Sequence, residues 1–582
     1  MPCLLLAVDE AWLRLLYYEK SGDTYENKAS HDFFFVSKEG RRNPQAEIDA
    51  SLEAIEKELL VGKLKKPFEC AFPARFDYLK KRFKLFKKEG IHCPEFDEWK
   101  NEINAQEVFL VYASSYVSNP ASMFGHSFLR LSQGGRERSD ALLDYSVGFM
   151  AITDPRDSSL MYSIKGITGQ YLGFFDIKPF YMQVGLYQNA EDRDLWEYRL
   201  PLDKFETEYL IKHMWEVSRN TGFPYYFFDE NCSYYILRMI EAIKPNWHIT
   251  THKKYLFAHP IETLKWMDQS QGVSDVKQFQ SINKVLRKRI SRMSSKERSD
   301  FRKAKTDLAT LSKVQSVEVL DALIDFWKHE NYDKNTQLSK TEAQLMNKTF
   351  ALRAQLDQKS SFELKSDEIK DQDPSQFHDP NKLTIQALSR KGRLASSLDI
   401  HLGYHGRADN PLGHDDYSYI DYLGLKLSFD KQVQIDRIRL VEINSHAPFV
   451  RELPKFSWKI KALYDGERVI LKHRNFLFEP GLGLTFFMGR QFVYGFLSLE
   501  NRIHQEGSHL IPKLNFGMKN IFSSLVLVND YELRRRHSNL LHSFKSSLYY
   551  YLKSKNGIGL RLENLVGDES VFEIGLNYRI YF

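Results

Sequence analysis

Cys232 and His126 are the two side chains whose surroundings suit nucleophilic catalysis. Cys232 lies in Phe227-Phe228-Asp229-Glu230-Asn231-Cys232-Ser233-Tyr234-Tyr235, and Ile236, Met239, Ile240 and Ile243 follow it. That apolar spacing predicts a helix packed into a core with the cysteine in its first turn. There, unpaired N–H groups and the positive end of the helix dipole favour an anion. A neighbouring imidazolium lowers a thiol further, from ~8.5 toward neutrality. The same N–H groups would hold the oxyanion of a tetrahedral intermediate, at about 3 kcal/mol per donor.

His126 closes a polar, turn-rich stretch running from Tyr112 through Asn119-Pro120-Ala121-Ser122-Met123-Phe124-Gly125 and leads into Ser127-Phe128-Leu129-Arg130. It would take the thiol proton or pair with the thiolate, and later protonate the leaving group. If 127–131 pairs antiparallel with 142–149 around Gly134-Gly135, Asp144 or Ser146 falls across from the histidine. Asp144 is the preferred orienting group. Asn231, Ser127, Tyr112 and Asn119 flank the pair and are the candidate substrate- or oxyanion-binding residues. Each residue also has a plain structural reading, since a cysteine on an apolar helix packs as a small core residue. None of the histidines has metal-ligand spacing, so neither metal nor cofactor is expected.

The elements that must position these groups change character along the chain. From residue 10 to about 100 the pattern is helical, with amphipathic runs at 11–16 and 46–60. Short β runs follow at 108–112, 127–131 and 142–149, and helical patterns return at 206–219 and 231–243. Residues 284–305 carry ten Lys or Arg against two acids in helical spacing, a solvated face or one suited to anionic lipid headgroups. Residues 306–385 read as helical and charged, ending in a linker with Asp371, Asp373, Pro374 and Pro380.

Beyond residue 383 the period becomes two. Leu394, Leu398, Ile400, Leu402 and Tyr404 share a face, as do Leu423, Leu425, Leu427 and Phe429. In the last run Phe572, Ile574, Leu576, Tyr578, Ile580 and Phe582 lie opposite Glu573, Gly575, Asn577 and Arg579. About eight to twelve such runs, apolar outside and polar inside, make an antiparallel transmembrane barrel. Lys426, Lys459 and Lys461 then point inward. A soluble β-sandwich would share the alternation.

Composition agrees. The 582 residues include 41 Phe and 31 Tyr, and 82 Lys+Arg against 76 Asp+Glu leave +6, so no nucleic-acid partner is expected. No run approaches a spanning helix. The apolar stub at Met1-Pro2-Cys3-Leu4-Leu5-Leu6-Ala7 is too short for a signal peptide and lacks a basic region, which reads as a truncated or mis-started signal or as a native apolar start. Cys70 and Cys93 flank a basic helical stretch and would form a disulfide in an oxidising compartment, or remain two buried thiols.

Asn119-Pro120-Ala121-Ser122 leading to Gly125-His126-Ser127-Phe128, with Asp229-Glu230-Asn231-Cys232-Ser233-Tyr234, resembles the Lnb N-terminal periplasmic domain family. Lys165-Gly166-Ile167-Thr168-Gly169, Asp194-Leu195-Trp196-Glu197-Tyr198 and Glu69-Cys70-Ala71-Phe72-Pro73 extend the likeness over roughly residues 10 to 270. The resemblance implies a circularly permuted papain-like fold, similar to NlpC-type amidases and lecithin–retinol acyltransferases, with Cys232 as nucleophile and His126 as base. It implies an acyltransferase working through a thioester on a lipid or lipopeptide substrate. A peptidoglycan or peptide amidase and a non-catalytic outer-membrane assembly or binding protein are the alternatives.

The expected architecture is α+β and multidomain: a helical N-terminal region (1–104), a permuted papain-like thiol domain (105–275), a helical basic connector (276–385) and a C-terminal antiparallel β-barrel (386–582). The expected location is the periplasm and outer membrane of a Gram-negative bacterium.

Overall fold

The computed structural model describes residues 8–85, 91–115, 124–134, 140–252, 257–333, 338–360, 372–390, 392–403, 405–430, 432–466, 474–536, 539–552, 555–566 and 570–582. The chain divides into two compact units. One comprises Met1–Asn283 with Lys328–Asn335, the other Lys284–Trp327 with Thr336–Phe582.

The first unit is built on a seven-stranded sheet. Its strands are β1 (Glu107–Ala113), β2 (His126–Ser132), β3 (Tyr145–Ile152), β4 (Tyr171–Pro179), β5 (Leu195–Arg199), β6 (Phe223–Tyr225) and β7 (Ser274–Phe279). They run in the order β6-β4-β3-β2-β1-β5-β7, every neighbouring pair antiparallel. β1 and β2 are buried along almost their whole length. Such strands, covered on both faces, read as continuous apolar runs rather than as alternation.

Five helices pack with the sheet: α1 (Ser159–Ile167), α2 (Phe180–Val184), α3 (Lys204–Asn220), α4 (Cys232–Ile243) and α5 (Pro260–Gln271). All of α4 is buried. Asp203 and Glu206 form a reciprocal capping box that fixes the start of α3.

The N-terminal region is less uniformly helical than its pattern suggests. Two short hairpins, Tyr18–Ser21 with Thr24–Asn27 and Leu60–Val61 with Lys66–Pro67, interrupt it. Gly22, at φ +61°, makes the first turn possible. Cys70 and Cys93 are disulfide-bonded, with Cα atoms 5.4 Å apart. The bridge is packed against Phe96 and Trp215, and the Trp215 indole donates to the Cys70 carbonyl at 2.8 Å.

In the second unit, twelve antiparallel strands close into a barrel, from Lys382–Arg390 to Val571–Tyr581. The first strand pairs with the last, from Lys382↔Tyr581 to Arg390↔Glu573. Closure removes both sheet edges. Leu423, Leu482, Leu497, Phe516, Leu560 and Leu576 are exposed on the outer surface, as the period-two pattern requires. Lys426 and Lys459 point inward and pair with Asp436 and Glu479.

The lumen is lined by paired charges. Lys513 lies 3.0, 3.2 and 3.0 Å from Glu479, Glu500 and Glu532, and Arg534 and Arg502 close on Glu500 at 2.9 and 2.8 Å. The space left among these charges is about 70 Å³. At another level, the segment following residue 404 enters the barrel: Asp409 is ion-paired with Lys382 and Arg579 at 2.7 and 2.6 Å, and Arg407 meets Asp530 at 3.2 Å.

The basic stretch forms helices Ile282–Arg292 and Ser295–Ala304, whose apolar faces bury Leu286, Ile290, Met293 and Phe301 with Leu320, Leu323 and Trp327. Part of its charge is internally paired, Arg289 with Asp325 at 2.9 Å and Arg302 with Glu452 at 2.5 Å. The last α-helix described before the barrel ends at Ala354, and residues 355–360 and 373–381 hold no helix but the 3₁₀ turn Pro374–Gln376, so among the described residues this stretch is less helical than expected.

Lys513 is the cation shared by three buried carboxylates. Lys513→Met keeps the volume and leaves the cluster one cation short, although Lys459, Arg502 and Arg534 still pair with the same carboxylates, so the loss should be a few kcal/mol, about 3 at most. The detergent-solubilised variant should convert from its folded to its unfolded gel mobility at a clearly lower temperature than the parent.

Candidate functional site

Gly125 sets the entry to β2. Its φ is +98°, and a Cβ there would stand 2.6–2.9 Å from the ring and hydroxyl of Tyr112, so only glycine fits. The pairing Tyr112↔Ser127 and Ala113↔His126 then places the imidazole at the first position of β2. Tyr112, expected near substrate, is a buried ring that shapes this turn.

Cys232 is the first residue of α4 and, among the described residues, the free cysteine of the chain. Asn231 caps the helix: its Oδ1 accepts from the Ser233 and Tyr234 N–H groups at 3.0 and 3.3 Å. Its Nδ2 donates to the carbonyls of Ala258 and Phe227 at 2.7 and 3.3 Å. The Asn231 side chain is therefore committed to main chain at both ends and holds Cys232 in place rather than facing a substrate. The Ser233 and Tyr234 donors, expected to serve an oxyanion, are likewise taken. The Cys232 N–H remains exchangeable, donating to the Tyr225 hydroxyl at 3.4 Å.

The structure brings Cys232 and His126 together. Burial pushes the thiol upward, but the imidazole of His126, the main-chain N–H of Ser127 and the hydroxyl of Ser233 outweigh it and bring the thiol down to about 6. Ser127 thus acts through its backbone. The Ser233 hydroxyl is 3.7 Å from the sulfur. Tyr225 faces the same sulfur; burial, then the thiolate beside it, hold its phenol well above the usual range. Tyr187 stacks on Phe128 and lies 5.5 Å from the His126 ring, with the Arg193 guanidinium 4.7 Å from its own.

Asp144 does not lie across from His126. The register pairs Arg130 with Ser146 and Leu131 with Tyr145, so Asp144 falls beyond the far end of β2. Leu142 and Leu143 belong to a 3₁₀ turn, Asp140–Leu143, which shifts the pairing away from the register read in the sequence. There Asp144 binds buried Arg130 at 2.6 Å, while Glu197 takes the other arm of the guanidinium at 2.8 Å. Ser146 donates to the Lys178 carbonyl at 3.0 Å. Asn119 lies outside the described residues.

Sequence reasoning missed Tyr225 and Tyr187. Tyr225 carried a signal, a tyrosine seven positions before the cysteine in Gly222-Phe223-Pro224-Tyr225. Tyr187 lies in the π-helical turn Gly185–Ala190 and carried none.

A strand histidine and a helix-start cysteine in this order, on this sheet, coincide with a family match over residues 95–270 to the model described as Lnb N-terminal periplasmic domain. Residues 95–270 form an Lnb N-terminal periplasmic domain. Flanking it, residues 4–82 match a domain of unknown function, DUF7843, and residues 371–581 match another, DUF7840. No curated protein matches the sequence.

Among solved structures the chain is similar to the NanC porin, with 9% identity over 34% of this chain and 99% of that one and a TM-score of 0.24. It is similar to the KdgM porin, with 10% identity, the same shares covered and a TM-score of 0.24. Omp33 of Acinetobacter baumannii shares 9% identity over 36% of this chain and 100% of that one, with a TM-score of 0.21. The periplasmic domain and the closed, apolar-faced barrel assign the chain to the periplasm and outer membrane of a Gram-negative bacterium.

In the Lnb N-terminal domain, Cys232 should be alkylated by iodoacetamide with a rate rising through a midpoint at about 6. A free thiol titrates at ~8.5. His126→Ala removes the chief opposing charge, so burial should carry the midpoint above that of a free thiol; mass spectrometry of the labelled peptide across pH reads both.

Proposed function

We propose that the Lnb N-terminal domain of this chain is a thiol acyltransferase that moves an acyl group from an ester donor to an amine through a thioester on Cys232. The observation that carries this reading is the thiol at the start of a buried helix, drawn down to about 6 by the imidazole beside it. A buried thiol in a purely structural role is pushed upward, not downward.

The steps balance with protein groups alone. The Cys232 thiolate attacks the ester carbonyl, forming a C–S bond, and the oxyanion is held by the Cys232 N–H and the Tyr225 hydroxyl. The C–O bond breaks, and the His126 imidazolium gives its proton to the departing alcohol. An amine then attacks the thioester, the C–S bond breaks, and His126 takes the amine proton, restoring the ion pair. The order of His126 in a strand and Cys232 on a later helix supports reading the fold as a permuted papain-like domain.

A lipid-borne donor is supported by the surface near the nucleophile. α1 packs against the segment leading to Cys232: Phe227 N–H donates to the Gly166 carbonyl at 2.9 Å, and the Tyr162 and Phe227 rings are 5.1 Å apart. Its Met161, Ile164 and Ile167 are exposed, as are the cross-strand pair Ile152 and Leu172 and, on α2, Tyr181 and Met182. An apolar surface of this kind, on a chain anchored by a barrel, suits acyl chains.

Incubating the full chain with phospholipid and an amine-bearing lipopeptide, or separately with muropeptides, tests the reaction class. An acyl adduct on Cys232 formed from phospholipid, and absent in Cys232→Ala and His126→Ala, is the expected result. Cleavage of muropeptides without that adduct would make the domain an amidase. Function in cells unchanged by both substitutions but lost with the barrel would make it an assembly or binding protein. The combined change Ile164→Asp, Ile167→Asp should raise KM for vesicle-borne ester several-fold while leaving turnover of a short soluble ester near the parent value.

A further inference from the structure

His126 needs a group to hold its ring, and the residue expected for it is committed elsewhere: Asp144 is locked to Arg130 at 2.6 Å. The neighbouring strand offers no side chain in its place, because the position of β3 beside the imidazole is Gly148. Over that glycine lies Gln183 of α2, only 1% exposed. Both atoms of its amide, Oε1 and Nε2, are buried without a hydrogen-bond partner, and so is Nε2 of His126. The two groups face one point: a Cβ built on Gly148 would stand 3.9 Å from the His126 Nε2 and 3.9 Å from the Gln183 Nε2, with the Phe128 Cβ at 3.8 Å. Buried amides are normally satisfied, so a wholly unpartnered one beside an unpartnered imidazole nitrogen calls for a reason.

We infer that Gln183 is the positioning residue of the dyad, its side-chain carbonyl accepting the Nε2–H of His126 across the gap left by Gly148, so that Nδ1 is turned toward the Cys232 sulfur. The inference rests on the thiolate reading above. Among the described residues no hydrogen bond holds the Gln183 amide elsewhere, and catalytic hydrogen bonds commonly tighten when substrate binds. Amide orientation is set by the partner it finds. The remaining groups around the dyad act differently. Tyr187, backed by Arg193 and Glu191 and sensing Asp176, packs on the ring. Tyr225, Ser233 and the Ser127 N–H serve the sulfur.

The test uses the full chain in detergent and follows Cys232 alkylation against pH. Gln183→Met keeps length and volume but accepts no such bond; it should move the midpoint up from about 6 by a unit or more, which at pH 6 is a roughly fivefold or greater slowing of the reaction. Gln183→Glu restores an acceptor and should return the midpoint to the parent value or below. Gly148→Ala interposes a methyl between ring and amide while altering neither; it should reproduce the Gln183→Met shift, and it provides the same readout where the Gln183 variants fail to fold. An unchanged midpoint in folded Gln183→Met and Gly148→Ala protein overturns the role of Gln183 while leaving the thiolate intact. A parent midpoint near ~8.5 overturns both readings.

Discussion

The contact between the Cys232 sulfur and the His126 imidazole is the constraint around which the first unit is arranged. It lies in a buried place, where a charge is tolerable only if opposite charge and donors converge. Three elements distant in sequence meet that demand. β2 brings the imidazole and the Ser127 N–H, α4 brings the sulfur with the Ser233 hydroxyl, and β6 brings the Tyr225 hydroxyl. Asn231 fixes the angle of arrival by tying the helix start to Ala258 and Phe227. Loosening any one of these moves the sulfur relative to the ring.

Charge elsewhere in the unit is organised to stay out of that site. Buried Arg130 takes both Asp144 and Glu197, which keeps two carboxylates at a distance from the imidazole. Arg75, also fully buried, lies 3.5 and 3.4 Å from Glu47 and Glu216 and stacks on Phe34 and Phe72. These closed ion pairs give the domain rigid polar joints without competing for the nucleophile. Ion pairs of this kind hold geometry more than they add net stability.

The parts legible in the sequence are those governed by local chemistry. The period of two in the last two hundred residues follows from one face meeting lipid, and it disclosed the barrel and the inward lysines. The signal was weak at 431–450 because register shifts near Lys426/Leu427 and Arg439/Val441 break the alternation, and at 512–530 because Val526 and Val528 are apolar yet face inward. The place of Cys232 at a helix start was legible from the helical spacing of the apolar residues that follow it. The orienting group was not, since it depends on register, which no short window encodes: the Asp140–Leu143 turn displaces Asp144, and α2 arrives over Gly148 from another part of the chain. The role of Asn231 was misread for a similar reason, as an amide beside a nucleophile looks the same whether it binds substrate or caps a helix.

The charged interior of the barrel bears on what the lumen can accept. Lys513, Arg534 and Arg502 with their carboxylates occupy one level, and Asp409 and Arg407 with their partners another. The charges at each level are already met by opposite charges, so an ion entering the lumen finds the groups that would bind it occupied by one another.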